Sequence, residues 1–123
     1  MAKLKILIVD DENEIRDYLK NFIQKKIECV VEDAADAISA LEKLKNSNFD
    51  LALVDVKMPG LSGIDLIKKA IKFTPNTKFL VMSGYDSYEV AHTALEVGAV
   101  DFISKPQTPQ AILAKIKDVL KLD

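Results

Sequence analysis

Four of the five residues from Asp10 to Glu14 are acidic (Asp10, Asp11, Glu12 and Glu14), and Asp10 and Asp11 directly follow the apolar run Leu4–Val9. Three other apolar runs end on a polar group in the same way. Phe49–Val54 ends on Asp55, Thr77–Met82 on Ser83, and Val100–Ile103 leads to Lys105-Pro106. If these run ends share one edge, Asp10, Asp11 and Asp55 converge there, and three close carboxylates repel one another. Lys105 is one candidate counter-charge. A hard cation, Mg²⁺ in the first place, is another, since Mg²⁺ favours a few carboxylates together with waters and a phosphate oxygen. With the Ser83 hydroxyl, the set contains a carboxylate nucleophile, a metal site, a cation and a hydrogen-bond donor. Those are the parts of phosphoryl transfer: an Asp can form an acyl phosphate, and the other groups stabilise charge on the transferring oxygens.

Each residue also has a plain structural reading. Asp11 suits the N-cap of a helix starting near Glu12. Asp55 suits a turn, Ser83 a loop, and Lys105 a solvated surface. It is the joint placement at four strand ends that points to chemistry.

The elements that must position these groups follow from hydrophobic period. Continuous apolar runs of four to six residues suit strands buried on both faces, as in parallel sheets. A weaker run at Glu28–Glu32 reads as a strand nearer an edge; it stops near Asp33, with no comparable functional group following. Between the runs lie helical stripes: Ile15, Tyr18, Leu19, Phe22 and Ile23; Ile38, Leu41 and Leu44; Ile64, Ile67 and Ile71; a thinner one of Val90, Ala94 and Leu95 within 87–97; and Ile112, Ile116, Val119 and Leu120. Thr108-Pro109 predicts an N-cap followed by Pro at the first helical position. Ser62 is expected to cap a helix near Gly63, and Gly98 to end the fourth helix. Five strand–helix units in strict alternation give an α/β fold, a parallel sheet with helices on both faces and right-handed crossovers. In such sheets ligands bind beyond the carboxyl ends of the strands.

Composition removes other classes. A chain of 123 residues suits one domain, here 1–123, since single cores usually span roughly 100–200 residues. With 17 basic and 19 acidic residues the formal net charge is −2, against a protein whose main work is wrapping nucleic acid. The apolar runs fall well short of the about 20 residues that cross a bilayer. The opening Met-Ala-Lys-Leu-Lys lacks a signal peptide's apolar region. One cysteine (Cys29, expected as a packed core thiol) and one histidine (His92, expected on a helix surface) make no zinc site. The expectation is a cytoplasmic domain with no membrane partner and no nucleic-acid binding by this chain alone.

The pieces Ile6-Leu7-Ile8-Val9-Asp10-Asp11-Glu12, Leu53-Val54-Asp55-Val56-Lys57-Met58-Pro59-Gly60, Gly63, Val81-Met82-Ser83-Gly84, Gly98-Ala99, Phe102 and Lys105-Pro106 stand in an order that resembles the receiver domains of two-component response regulators. The resemblance runs from Leu4 to about Leu122. It implies a flavodoxin-like, doubly wound sheet with strand order 2-1-3-4-5 and a phosphorylation-controlled switch that is not itself a turnover enzyme. Asp55 would be the phosphoacceptor, taking its phosphoryl group from a sensor histidine kinase or a histidine phosphotransfer protein. Asp11 and Asp55 would ligate Mg²⁺ directly, Asp10 largely through water, and the main-chain carbonyl of Lys57 would add a ligand. Lys105 would pair with the phosphoryl group and Ser83 would hydrogen-bond it. Phe102 falls at the family's aromatic switch position, where Tyr is common. Its two states would differ by packing alone and would alter the face of the fourth helix, fifth strand and fifth helix toward a downstream protein.

Lys57 and Tyr85 fall at positions that tune the lifetime of the acyl phosphate. Tyr85 is expected to cover the phosphoryl site, and Lys57 to lie across the acidic cluster at rest. Gln107 stands where an apolar residue is common. Rival readings fit less well. A haloacid-dehalogenase-type phosphatase wants an Asp two residues after the nucleophile, where this chain has Lys57. A nucleotide- or flavin-binding domain wants a glycine- or hydroxyl-rich turn after the first strand, where the acidic turn repels phosphate. A pseudo-receiver would not keep the full set Asp10, Asp11, Asp55, Ser83 and Lys105.

Overall fold

The computed structural model describes residues 3–58, 60–84, 88–104 and 108–122. Five strands alternate with five helices: β1 Leu4–Val9, α1 Asn13–Lys26, β2 Cys29–Ala34, α2 Ala37–Asn46, β3 Leu51–Asp55, α3 Gly63–Ala70, β4 Lys78–Ser83, α4 Tyr88–Val97, β5 Asp101–Ser104 and α5 Pro109–Leu120. All neighbouring strands are parallel, in the order β2-β1-β3-β4-β5. The doubly wound architecture expected from the alternation is the one observed.

Period-2 alternation sorts the strand residues onto two cores. Leu7, Val9, Ala52, Val54, Phe79 and Val81 pack under α2, α3 and α4. Ile6, Ile8, Leu51, Leu53, Leu80 and Met82 pack under α1 and α5. Burial on both faces is why the strands read as continuous apolar runs.

The helix starts follow local chemistry. Ser62 Oγ accepts from Asp65 N–H at 3.2 Å and Thr108 Oγ1 accepts from Ala111 N–H at 3.1 Å, as anticipated for both caps. Asp36, which the helical stripes do not reveal, caps α2 through its carboxylate and Ser39 N–H at 2.7 Å. That bond holds the Asp36 carboxyl below its usual range. Gly98 ends α4 at φ +123°, where a Cβ would meet Ile71 Cδ1 at 3.0 Å.

Several expectations need correction. The second strand runs on through Asp33 to Ala34, because its polar residues find partners described below. Ile38, Tyr18 and Leu95, counted on buried stripes, are exposed. Leu44 and Ala94 of those stripes are buried as expected, and Ala37, Ala40 and Ala91 share the inward positions of α2 and α4 with them. Tyr18 lies outside the core, its ring stacked on Phe22. Asp11 does not cap α1. Glu12 holds the N-cap position without a side-chain cap, and Asp10 Oδ1 accepts from Glu12 N–H at 2.9 Å. Cys29 is half-buried against the α1/α5 core, and burial pushes its thiol pKa up against a smaller opposing pull from Lys3.

Candidate functional site at the carboxyl edge of the sheet

Register brings the acids together. Val9 pairs with Val54 and Val54 with Val81, so β1, β3 and β4 reach the edge at a common level. Asp10 follows Val9 directly, Asp55 is the last residue of β3, and Ser83 is the last of β4. One carboxylate oxygen from each of Asp10, Asp11 and Asp55 lies within 4.8 Å of the others. Asp10 is fully buried, Asp55 is 5% exposed and Ser83 2%, while Asp11 faces solvent. At that spacing each pair of ionised carboxylates repels by about 1–3 kcal/mol, depending on local screening. An all-oxygen set of three carboxylates with one member open to solvent fits a hard divalent cation better than a soft one.

The loop after β3 is fixed by backbone bonds. Val56 N–H donates to Met82 C=O, and Gly63 N–H to Val56 C=O, both at 3.0 Å. Gly63 is required for this approach: a Cβ there would collide with the Asp55 carbonyl oxygen and lie 2.8 Å from Val54 Cγ1. The start of α3 therefore closes directly on the backbone that carries Asp55.

The remaining site residues of the sequence reading fall as follows. Lys57 is exposed, two residues beyond Asp55. Phe102 is half-buried in β5 and packs against the α2–α3–α4 core, opposite Val81. Ser104 is the register partner of Ser83 and the last residue of β5. Lys105, the next in the chain, lies outside the described residues, as do Pro59, Tyr85, Pro106 and Gln107. His92 is exposed on α4, its Nε2 3.3 Å from Glu96 Oε1.

Sequence reasoning missed Arg16 and undervalued Asp33. Arg16 donates through Nη1 to the Asp10 carbonyl at 2.7 Å, through Nε to Asp33 Oδ2 at 3.0 Å, and through Nη2 to Asn13 Oδ1. The end of β2 thus joins the site through a side chain on α1. The only sequence signal was that Arg16 is the sole arginine beside 16 lysines.

A doubly wound parallel sheet of order 2-1-3-4-5, with an acidic cluster at its carboxyl edge, defines a flavodoxin-like fold with a candidate cation site. The family model of the response regulator receiver domain matches residues 6–117, and the chain belongs to that family. Chemotaxis protein CheY of Thermotoga maritima is 36% identical over 117 residues, covering 95% of this chain and 98% of CheY. Regulatory protein VanR of Enterococcus faecium is 35% identical, covering 95% of this chain and 50% of VanR. The crystal structure of a CheY-like receiver domain protein from Methanospirillum hungatei superposes with a TM-score of 0.92 at 39% identity, covering 98% of this chain and 95% of that one. The chain spans nearly all of CheY but only 32% of the transcriptional regulatory protein YesN of Bacillus subtilis. As a two-component receiver it takes part in phosphorylation-controlled signalling. Among the described residues no helix is long and apolar enough to cross a membrane.

Proposed function

We propose that the whole chain, 1–123, works in the cytoplasm as one receiver unit that accepts a phosphoryl group onto Asp55 from a phosphohistidine of a sensor kinase or phosphotransfer protein. The observation that carries the reading is a carboxylate 5% exposed at the end of β3, held within 4.8 Å of two others. A merely structural Asp would not be buried among like charges, which costs stability unless a cation or a reaction uses it.

In the transfer, an Asp55 carboxylate oxygen attacks phosphorus while the phosphorus–nitrogen bond to the donor imidazole breaks. Burial keeps the carboxylate poorly solvated and in a fixed direction. Ser83 donates its hydroxyl hydrogen to a phosphoryl oxygen, and Lys105 places its ammonium against another. Asp10, Asp11, Asp55 and the main-chain carbonyl of Lys57 would hold Mg²⁺. When bound, the ion neutralises the clustered negative charge and stabilises the charge on the phosphoryl oxygens. The chain so promotes its own phosphorylation and dephosphorylation without being a turnover enzyme.

The local charge change then biases a two-state element. Ser83 moves toward the phosphoryl group, Phe102 repacks against the α2–α3–α4 core, and the face of α4, β5 and α5 changes toward a downstream protein. Lys57 and Tyr85 set how quickly water reaches the acyl phosphate.

The test uses the protein with Mg²⁺ and acetyl phosphate, followed by intact mass. One alkali-labile phosphoryl adduct is expected, absent in Asp55→Asn. Steady consumption of acetyl phosphate with no adduct would favour a hydrolase, and neither adduct nor consumption a pseudo-receiver.

A further inference from the structure

Arg16 is the sole arginine of the chain, and its side chain is only 11% exposed although it sits in the second turn of a surface helix. From α1 it reaches the carboxyl ends of two strands at once, bonding the backbone of Asp10, a member of the acidic cluster, and the Asp33 carboxylate of β2. We propose that Arg16 is a positioning residue for that cluster, a clamp that fixes the Asp10–Asp11 peptide so that both carboxylates are set for a divalent cation. The inference rests on the functional reading above, in which the cluster holds Mg²⁺.

The peptide linking Asp10 to Asp11 is planar, so holding its carbonyl orients the Cα atoms of both residues. Arg16 Nη1 holds that carbonyl at 2.7 Å. Ala34 C=O accepts from Asp10 N–H at 3.2 Å, and Asp10 Oδ1 accepts from Glu12 N–H at 2.9 Å. The guanidinium is itself held on the far side by Asp33 Oδ2 at 3.0 Å, and Asp33 lies opposite Ile8 in the β1–β2 register. Asn13 Oδ1 takes a third donor. A planar fork of donors can satisfy a carbonyl and a carboxylate together in one orientation; an ammonium on a flexible stem cannot.

Three roles for Arg16 give different signs. A purely electrostatic role, offsetting the acids, means that removing the cation leaves the cluster more negative and Mg²⁺ binds more tightly. A purely structural role, tying α1 to β2, means lower stability with unchanged affinity. The clamp means weaker Mg²⁺ binding despite the loss of a repelling charge.

The test is calorimetric titration of the full chain with Mg²⁺, with thermal melts in its absence, for wild type, Arg16→Met, Arg16→Lys and Asp33→Asn. The clamp predicts about 10-fold weaker Mg²⁺ binding in Arg16→Met and Arg16→Lys, the usual scale for losing a partner that orients a ligand. It predicts a smaller, few-fold loss in Asp33→Asn, which keeps the bond to the Asp10 carbonyl. If Arg16→Met fails to fold, Arg16→Lys and Asp33→Asn decide, since each keeps part of the network. Unchanged or tighter Mg²⁺ binding in the folded Arg16 variants would overturn the clamp alone. A wild type that binds no Mg²⁺ would overturn the functional reading and the clamp with it.

Discussion

Near the amino ends of the strands, Lys5 N–H donates to Asp50 Oδ2 at 2.8 Å, Thr77 Oγ1 to Phe49 C=O at 2.7 Å, and Lys78 Nζ to the Val119 carbonyl at 3.0 Å. At the carboxyl ends of the same strands, Asp10, Asp11 and Asp55 bring three carboxylates within 4.8 Å. One end distributes opposite charges and dipoles into pairs. Lys78, for instance, lies against a carbonyl in the last turn of α5, where a helix end carries partial negative charge. The other end, although Arg16 and Asp33 pair beside it, gathers three carboxylates against one another. Glu32 shows the first strategy further along β2. Burial pushes its carboxyl pKa up, but the hydrogen bonds and charges of Lys5 and Lys43 outweigh that and hold it below the usual range. The contrast separates what the fold needs from what the chemistry needs: a domain built for stability alone would treat both ends alike.

The largest way to disturb the carboxyl end without touching a charge is Gly63→Ala. The new Cβ would collide with the Asp55 carbonyl and press on Val54, so unfolding in urea should show a loss of about 1–3 kcal/mol, the range for overpacking. Asp11→Asn sharpens the contrast from the other side. Without Mg²⁺ it should stabilise the protein by about 1 kcal/mol, by removing one of the mutually repelling charges at the exposed position. The stabilisation that added Mg²⁺ gives the wild type should shrink in the same melts. Equal melting of Asp11→Asn and wild type in chelator would mean that the cluster stores no repulsion.

The smallest effect belongs to the paired region. Glu32→Gln should cost less than about 1 kcal/mol near neutral pH, because its ion pairs are partly solvated. The folded carboxyl is depressed relative to the unfolded chain, so its contribution is complete above the ordinary Glu range. It disappears as pH falls through the folded value. The stability gap between wild type and Glu32→Gln should therefore close on acidification; a gap that widened would reverse the assigned sign.

The strands were legible in sequence because both faces of the sheet are covered, which leaves apolar runs unbroken. β2 was cut short because Glu32 and Asp33 look like a strand end. Their partners Lys5, Lys43 and Arg16 lie in other elements, and pairing at that distance leaves no local pattern. The exposed Ile38, Tyr18 and Leu95 were assigned inward because spacing rules weight large residues. Ala37, Ala40 and Ala91, which those rules passed over, share the inward positions of α2 and α4 with Leu44 and Ala94, and small side chains let helices approach the sheet. Asp10, Asp11, Asp55 and Ser83 were legible as a site because each ends an apolar run, and register then converts run ends into neighbours. Arg16 was not, since its central bond goes to a backbone carbonyl that no residue type announces.

The most direct measurement is chemical mapping of the phosphoryl group. Protein treated with acetyl phosphate and Mg²⁺ is reduced with borohydride, which converts an acyl phosphate on aspartate to homoserine, and its peptides are sequenced by mass spectrometry. Homoserine is expected at position 55 alone, absent when Mg²⁺ is chelated. Homoserine at position 10 or 11, or a stable adduct elsewhere with Asp55 unreduced, would contradict Asp55 as the phosphoacceptor.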